Sequence, residues 1–576
     1  MKPVIYQLFP RLYGNARPFK IQGGTIEDNG CGKFRDISSK ALNQLKDMGI
    51  THVWYTGIFS HATCTDYSSI GLPATCPLIT KGRAGSPYAV RDYYDVDPDL
   101  ATEPQNRMKE FRQLVQRTHK AGLKVLIDFI PNHVARQYHS LTKPNGVVDI
   151  GENDDPSVFF SPQNDFYYLP GQVFYAPEFV EPFGPDVLVD LDPCMYSEDP
   201  VRATGNDCFV ARPSLTDWYD TVKLNYGVDP RSQQEFFDPM PPLWNKMRDI
   251  LLHWAGLGID GFRCDMAGMI PLPFWKYVIA EVKNRYPEIL FIAEIYEPWR
   301  YKDFIYYAGF DYLYDKEGLY NILRDIMKWQ HPAWKLSDHW KSLEGLDDRM
   351  LRFLENHDEI RLASSHFLGD PFKALPGMLL CVAMNRGPVM IYNGQEVGEP
   401  ALGATGFSGN DGRTTKFDYA CMPELQKWVN NGRFDGKHLS KDQIKLRTIY
   451  KDILSLAQQP AVATGDFYDL MWVNQHYPAP DPQKIFAWLR HTAEQKMLFL
   501  VNFDTDHTHT FRLFIPLHAF GVMQLDVNEH FQLTHFFEPS EHYLFQGYMA
   551  AYDGLELSLP PSKFKVFLLS LNVDNF

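Results

Sequence analysis

At 576 residues the chain outruns a single hydrophobic core, so two or three domains are expected. Its 45% apolar and 22% charged residues describe a globular protein, and no uninterrupted apolar stretch reaches membrane-spanning length. A formal net charge of −15 argues against nucleic acid, whose phosphates would be repelled; it fits a neutral substrate, though solubility alone explains it equally.

In chain order, Met1-Lys-Pro-Val-Ile-Tyr-Gln runs straight into a first strand, Val4–Phe9, with no basic-then-apolar leader before it. A cytoplasmic protein, or one whose leader has been removed, is expected. Further strands are predicted at His52–Tyr55, Lys124–Phe129, Gly261–Cys264, Leu290–Glu294, Phe310–Tyr314, Met350–Leu354 and Pro388–Tyr392. Helical periodicity falls between or after them, at Ala41–Met48, Met108–Ala121, Leu243–Ala255, Phe274–Tyr286 and Ile444–Leu456. Short apolar strands alternating with amphipathic helices indicate a parallel sheet enclosed by helices.

One interval is abnormal: from Asp128 to Asp260 lie about 130 residues, where a barrel helix and two loops need far fewer. The stretch is rich in Pro, Asp, Tyr and Phe and predicts an irregular inserted domain. After Leu456 the pattern changes to short or alternating strands, Ile485–Leu489, Met497–Val501, Phe511–Phe514, Phe531–Phe536 and Val566–Leu569, with no clear helix. These predict an antiparallel β-sandwich. The fold class expected is α/β, a (β/α)8 barrel with an insert after its third strand and a C-terminal β-sandwich. Boundaries fall at 1–134 and 236–460 for the barrel, 135–235 for the insert and 461–576 for the sandwich.

Four segments end in a carboxylate or imidazole just after a strand: Asp128-Phe-Ile-Pro-Asn132-His133, Gly261-Phe-Arg263-Cys-Asp265, Phe291-Ile-Ala-Glu294 and Phe353-Leu-Glu-Asn356-His357-Asp358. A barrel of this kind assembles its active site at the carboxyl ends of its strands. Singly, an acid at a strand end is more often a helix cap or ion-pair partner. In order and wording the four together resemble the α-amylase family of retaining glycoside hydrolases.

The resemblance implies that Asp265 is the nucleophile, Glu294 the acid/base and Asp358 a third carboxylate that holds sugar hydroxyls. It implies His133 and His357 as donors to the sugar beside the cleaved bond, and Tyr88, in Gly85-Ser-Pro-Tyr88, as the ring that stacks on it. Two carboxyl groups about 5–5.5 Å apart cleave a glycosidic bond with retention. Arg263 shares a strand face with Asp265 through the period of two and is expected to keep it ionised; a structural ion pair is the plainer alternative. Glu294 needs an apolar setting and a carboxylate neighbour to stay protonated near neutral pH.

Three departures from the family are visible. Gly268 and Met269 stand where many members carry Lys-His. In the loop Glu27-Asp28-Asn29-Gly30-Cys31-Gly32-Lys33, Lys33 replaces the acid of a calcium loop, so no calcium is expected there. Asn132 matches a family calcium ligand, with Asp190 as a second; the change at 269 counts against that structural calcium and leaves it an open expectation. Asn225 hints at oligosaccharide-acting members, and Gly406–Thr415 is expected either to line the acceptor side or to form a solvated loop. The eight cysteines favour buried free thiols over a Cys64–Cys76 or Cys194–Cys208 bond.

The expected activity is cleavage of α-1,4 linkages in starch or maltooligosaccharides, with no cofactor required for the chemistry. An α-glucan is the expected partner, with neither nucleic acid nor membrane. A transglycosylase with the same three acids is the nearest rival. A catalytically silent carbohydrate-binding module is a second, and a metal-dependent hydrolase, for which neither a His-x-His nor a carboxylate-bridged spacing is expected, a third.

Overall fold

The computed structural model describes residues 2–177, 194–402 and 410–572. Eight parallel strands form the main sheet: β1 (Val4–Leu8), β2 (His52–Tyr55), β3 (Lys124–Phe129), β4 (Gly261–Cys264), β5 (Leu290–Ala293), β6 (Tyr312–Tyr314), β7 (Met350–Leu351) and β8 (Val389–Tyr392). They pair in the order β7-β6-β5-β4-β3-β2-β1-β8. Arg352 closes the circle: its N–H donates to Pro388 O at 3.0 Å, and its carbonyl accepts from Met390 N at 2.9 Å. The chain thus folds into a barrel, as the alternation of apolar strands and helices predicts.

Every strand is buried on both faces, which is why the sequence shows apolar runs rather than alternation. Inside, Ile5, Trp54, Leu126, Ile292, Tyr314, Leu351 and Met390 pack against one another. The next inward position on several strands, one period of two further on, is polar: Gln7, Asp128, Arg263 and Glu294. The barrel is therefore filled with hydrocarbon below and with ionisable groups at the carboxyl end. Helices cover the outside, among them Ser39–Asp47, Arg107–Lys120, Pro242–Gly256, Leu272–Arg285 and Lys441–Ser455.

Between β3 and β4 the described residues form two small antiparallel ribbons, His133–Ala135 with Thr221–Lys223 and Tyr168–Leu169 with Val201–Arg202. Cys76 and Cys194 form a disulfide, a pairing different from both that the spacing suggested; Cys64 and Cys208 are free thiols. Neighbouring spacing misleads here because the partners lie 118 residues apart in sequence.

The C-terminal part has strands β9 (Asp466–Asp469), β10 (Ile485–His491), β11 (Lys496–Asn502), β12 (His509–Leu513), β13 (His530–His535), β14 (His542–Gln546), β15 (Leu555–Leu559) and β16 (Phe564–Leu571). Six form an antiparallel sheet, β9-β10-β11-β16-β13-β14, and β12 pairs with β15. Asn502 joins the two layers by donating to Leu559 O and Pro560 O, both at 3.0 Å. Two helical turns, Leu517–Val522 and Gly547–Tyr552, correct the expectation of no helix. The domain is fixed to the barrel by Trp488 Nε1 on Ala383 O (3.3 Å) and Arg490 Nη1 on Met384 O (3.2 Å).

Candidate active site

Arg263 is the hub. Its β4 register sets it opposite Asp128 on β3 and Ile292 on β5. Nη1 reaches Asp265 Oδ1 at 2.7 Å and Asp128 Oδ1 at 3.4 Å, Nη2 stands 2.6 Å from Glu294 Oε1, and Nε donates to Tyr314 OH at 3.2 Å. The Glu294 contact is an ion pair not aligned as a hydrogen bond. One guanidinium thus spans the two carboxyl groups, a placement compatible with the ~5–5.5 Å separation of retaining enzymes. Asp265 and Glu294 are 6% and 3% exposed, and Arg263 1%.

Glu294 is less apolar in its setting than the sequence implied. Oε2 accepts from Met266 N at 2.7 Å, and Oε1 accepts from Tyr296 OH at 2.7 Å. Met266 takes a left-handed conformation, φ 44° and ψ 43°, immediately after Asp265. Burial nevertheless pushes Glu294 up to about 7, against Arg263 and with help from Asp265 and Asp358. Burial also raises Asp265, opposed by Arg263. Both carboxyls are shifted in the same direction, upward, by burial.

Asp358 is held differently. Its Oδ1 meets the Lys416 ammonium and its Oδ2 lies 3.1 Å from His357 Nε2. Burial opposes its charge, but these neighbours keep it well below the usual carboxylate range. Since burial depresses His357 to about 3, its ring is neutral near pH 7 and Lys416 is the cation that counts. Gln7 Nε2 donates to His357 Nδ1 at 2.7 Å, which leaves the Nε2–H tautomer to face Tyr88 OH (2.6 Å) and Asp358. The Tyr88 and His357 rings stack at 5.2 Å. Asp128 accepts from Trp54 Nε1 and Gly57 N, both at 3.2 Å, and anchors Arg263 from below.

The structure therefore brings together Asp265, Glu294, Asp358, Arg263, His357 and Tyr88. His133 lies at the first ribbon, its ring 5.1 Å from that of Trp218 and 3.1 Å from Asn132 Nδ2 through its Nδ1. Asn225 is occupied with the carbonyls of Ser161 (2.8 Å) and Asn164 (2.9 Å), so it shapes the insert. Gly268 O accepts from Arg300 Nη1 at 2.7 Å, and Glu297 fills the space a side chain at 268 would need. Of Gly406–Thr415, residues 406–409 lie outside the described residues; Arg413 Nη1 pairs with Asp411 at 3.3 Å.

Gln7, Tyr296 and Lys416 lie outside the expected site residues, and Asp128 heads one of the four segments without an expected role of its own. Tyr296 lies beyond the end of β5 at Ala293, where no strand period applies, and carried no signal. Lys416 carried none.

The residues do not suit calcium at Asn132. Lys223 Nζ stands 2.5 Å from Asn132 Oδ1 and 2.8 Å from Asp207 Oδ1, so an ammonium takes the oxygen a cation would use. Asp190 lies outside the described residues. Lys33 Nζ donates to Asp99 O at 2.5 Å. His507-Thr-His509 in the C-terminal part corrects the expectation of no His-x-His spacing, and both of its rings turn onto Asp504. Among the described residues no three His, Cys, Asp or Glu side chains are grouped to hold a metal.

The sequence model of the α-amylase catalytic domain matches residues 7–418. The chain belongs to the α-amylase family. Relatives include the intracellular maltogenic amylase of Bacillus subtilis (strain 168), 22% identical over 409 residues, covering 69% of this chain and 55% of the relative. The α-1,4-glucan:maltose-1-phosphate maltosyltransferase of Picrophilus torridus is 20% identical over 555 residues, 94% of this chain and 66% of the relative. The chain spans about half the length of the first of these curated relatives. Among solved α-amylase-family structures, a maltogenic α-amylase from Thermotoga neapolitana shares the fold with TM-score 0.61 at 19% identity, over 99% of both chains. Among the described residues no helix is long and apolar enough to cross a membrane.

Proposed function

We propose that this α-amylase-family chain cleaves α-1,4-glucosidic bonds of starch or maltooligosaccharides by double displacement. The observation that carries the reading is the single Arg263 guanidinium spanning Asp265 and Glu294. Asp265 attacks the anomeric carbon while Glu294, protonated, gives its proton to the departing oxygen; Glu294 then draws a proton from the incoming hydroxyl. Asp358, kept ionised by Lys416, binds sugar hydroxyls and favours positive charge at the ring. Tyr88 offers a ring face to the sugar, with His133 and His357 donating beside it.

Transfer to a sugar instead of water is the second reading, favoured by the maltosyltransferases among the relatives. No calcium acts at Asn132 in this proposal, because Lys223 supplies the positive charge there.

The test is a time course of products from maltoheptaose, resolved by chain length, with wild type and Asp265→Asn. Shorter fragments from wild type and none from the variant support hydrolysis. Chains longer than the substrate support transfer. Equal product patterns from the two proteins refute both.

A further inference from the structure

Glu294 has to serve in both protonation states. It carries a proton when the leaving oxygen departs and lacks one when the next hydroxyl arrives. Two of its partners suit the ionised state alone. Met266 N–H, 2.7 Å from Oε2, is a donor with no lone pair to offer, and so is the Arg263 guanidinium, 2.6 Å from Oε1. A protonated carboxyl facing only these would have no acceptor for its own O–H. The third partner differs in kind: the Tyr296 hydroxyl, 2.7 Å from Oε1, can donate to a carboxylate or accept from a carboxylic acid by rotating about its C–O bond.

We propose that Tyr296 is a positioning residue for the acid/base, the partner of Glu294 among the described residues that is able to pair with it both before and after proton transfer. This rests on the glucan-cleaving reading above and adds a residue to it. The phenol is a partner rather than a proton donor to substrate, since burial raises it well above its ordinary value and keeps it un-ionised. The other groups acting on Glu294 are Arg263 from β4, which favours its ionised form, and Asp265 and Asp358, which oppose it. None of these can turn from donor to acceptor at Oε1.

Tyr296→Phe keeps the ring and removes the hydroxyl. Both forms of Glu294 then lose a bond, but the charge-assisted one to the carboxylate is the stronger, so the ionised form loses more and the basic limb of kcat/KM on an aryl maltoside moves to higher pH, by about one unit. With maltosyl fluoride, whose leaving group needs no proton, the base step dominates and kcat falls roughly tenfold. A purely structural loss would lower turnover at every pH and leave the limbs in place.

The experiment measures both substrates across pH for wild type, Asp265→Asn and Tyr296→Phe, with thermal unfolding as a control. A shifted basic limb together with the fluoride defect supports the proposal. Unmoved limbs in an active, folded Tyr296→Phe overturn it alone. A wild type that turns over neither substrate, or no faster than Asp265→Asn, overturns the glucan reading and this proposal with it.

Discussion

The Lys416 ammonium closes on the Asp358 carboxylate, and the carbonyl of the same lysine is held by the buried Arg11 guanidinium, Nη1 to O at 3.1 Å. A loop residue from beyond β8 is thus locked to the first barrel segment, and its charge is directed at the third acid. Substituting Lys416→Met removes that charge while keeping the length of the chain. The expected result is a fall in kcat/KM of about 10- to 100-fold with little change in unfolding temperature. Steady-state kinetics on maltotriose check it; wild-type kinetics in the variant would make the contact incidental.

The pH profile follows from the two central acids, which titrate as a pair. In the proposed reaction Glu294, raised to about 7 by burial, must be protonated for the first step, so activity is expected to fall as pH rises through that value. Asp265 must be ionised, and burial raises it too, so activity is lost on the acid side at a pH above the ordinary carboxylate value of about 3.9. A narrow bell in kcat/KM is expected. A plateau extending from about pH 6 to 9 would contradict the placement of Glu294.

Gly85, three residues before Tyr88, has φ +78°, and a Cβ added there would lie 1.7 Å from the backbone oxygen of Ala62. Backbone cannot move aside as a flexible side chain can. Gly85→Ala is therefore expected to cost about 3 kcal/mol or more and to weaken substrate binding by displacing Tyr88. Gly146 is the control, with φ +83° and nothing within 4 Å of the added atom. Gly146→Ala should cost only about 1 kcal/mol. Urea unfolding of both variants measures the difference.

Chelation is expected to change neither turnover nor unfolding temperature, because Lys223 already satisfies Asn132 Oδ1. Lys223→Met should destabilise by about 1–3 kcal/mol, since it leaves the buried Asn132 oxygen unpaired. Scanning calorimetry with EDTA and with added calcium tests this; a large stabilisation of wild type by calcium would reverse it.

The barrel was legible because strands buried on both faces read as short apolar runs; seven of the eight lie within two residues of their expected ends, and β7 stops at Leu351, three short of the expected Leu354. Asp265 and Glu294 stood out because each directly follows such a run, whereas Asp358 lies beyond the end of β7 and was marked only by the resemblance of Asn356-His357-Asp358. What escaped was local or distant. Leu517–Val522 and Gly547–Tyr552 are too short for a 3.6-residue period to register. The π-helical turns Asp303–Ala308 and Lys316–Tyr320 have no simple apolar spacing. Lys416 reaches Asp358 across 58 residues through loop geometry alone. The setting of Glu294 was half legible: its raised value follows from burial, but the donors around it belong to a left-handed residue and to a tyrosine whose pairing no pattern announces.

The bond between Cys76 and Cys194 makes the chain a closed ring from residue 76 to residue 194, and that ring contains β3, Tyr88, Asn132 and His133. Closing a ring of this size restricts the unfolded chain by roughly 4–5 kcal/mol in the loop-closure account. The firmness of the segment that carries Tyr88 and His133 is therefore set partly by the thiol balance of the surroundings. Dithiothreitol should lower the unfolding temperature and leave a Cys76→Ser, Cys194→Ser variant unaffected. The same polypeptide would be a tougher protein in an oxidising medium than among free thiols.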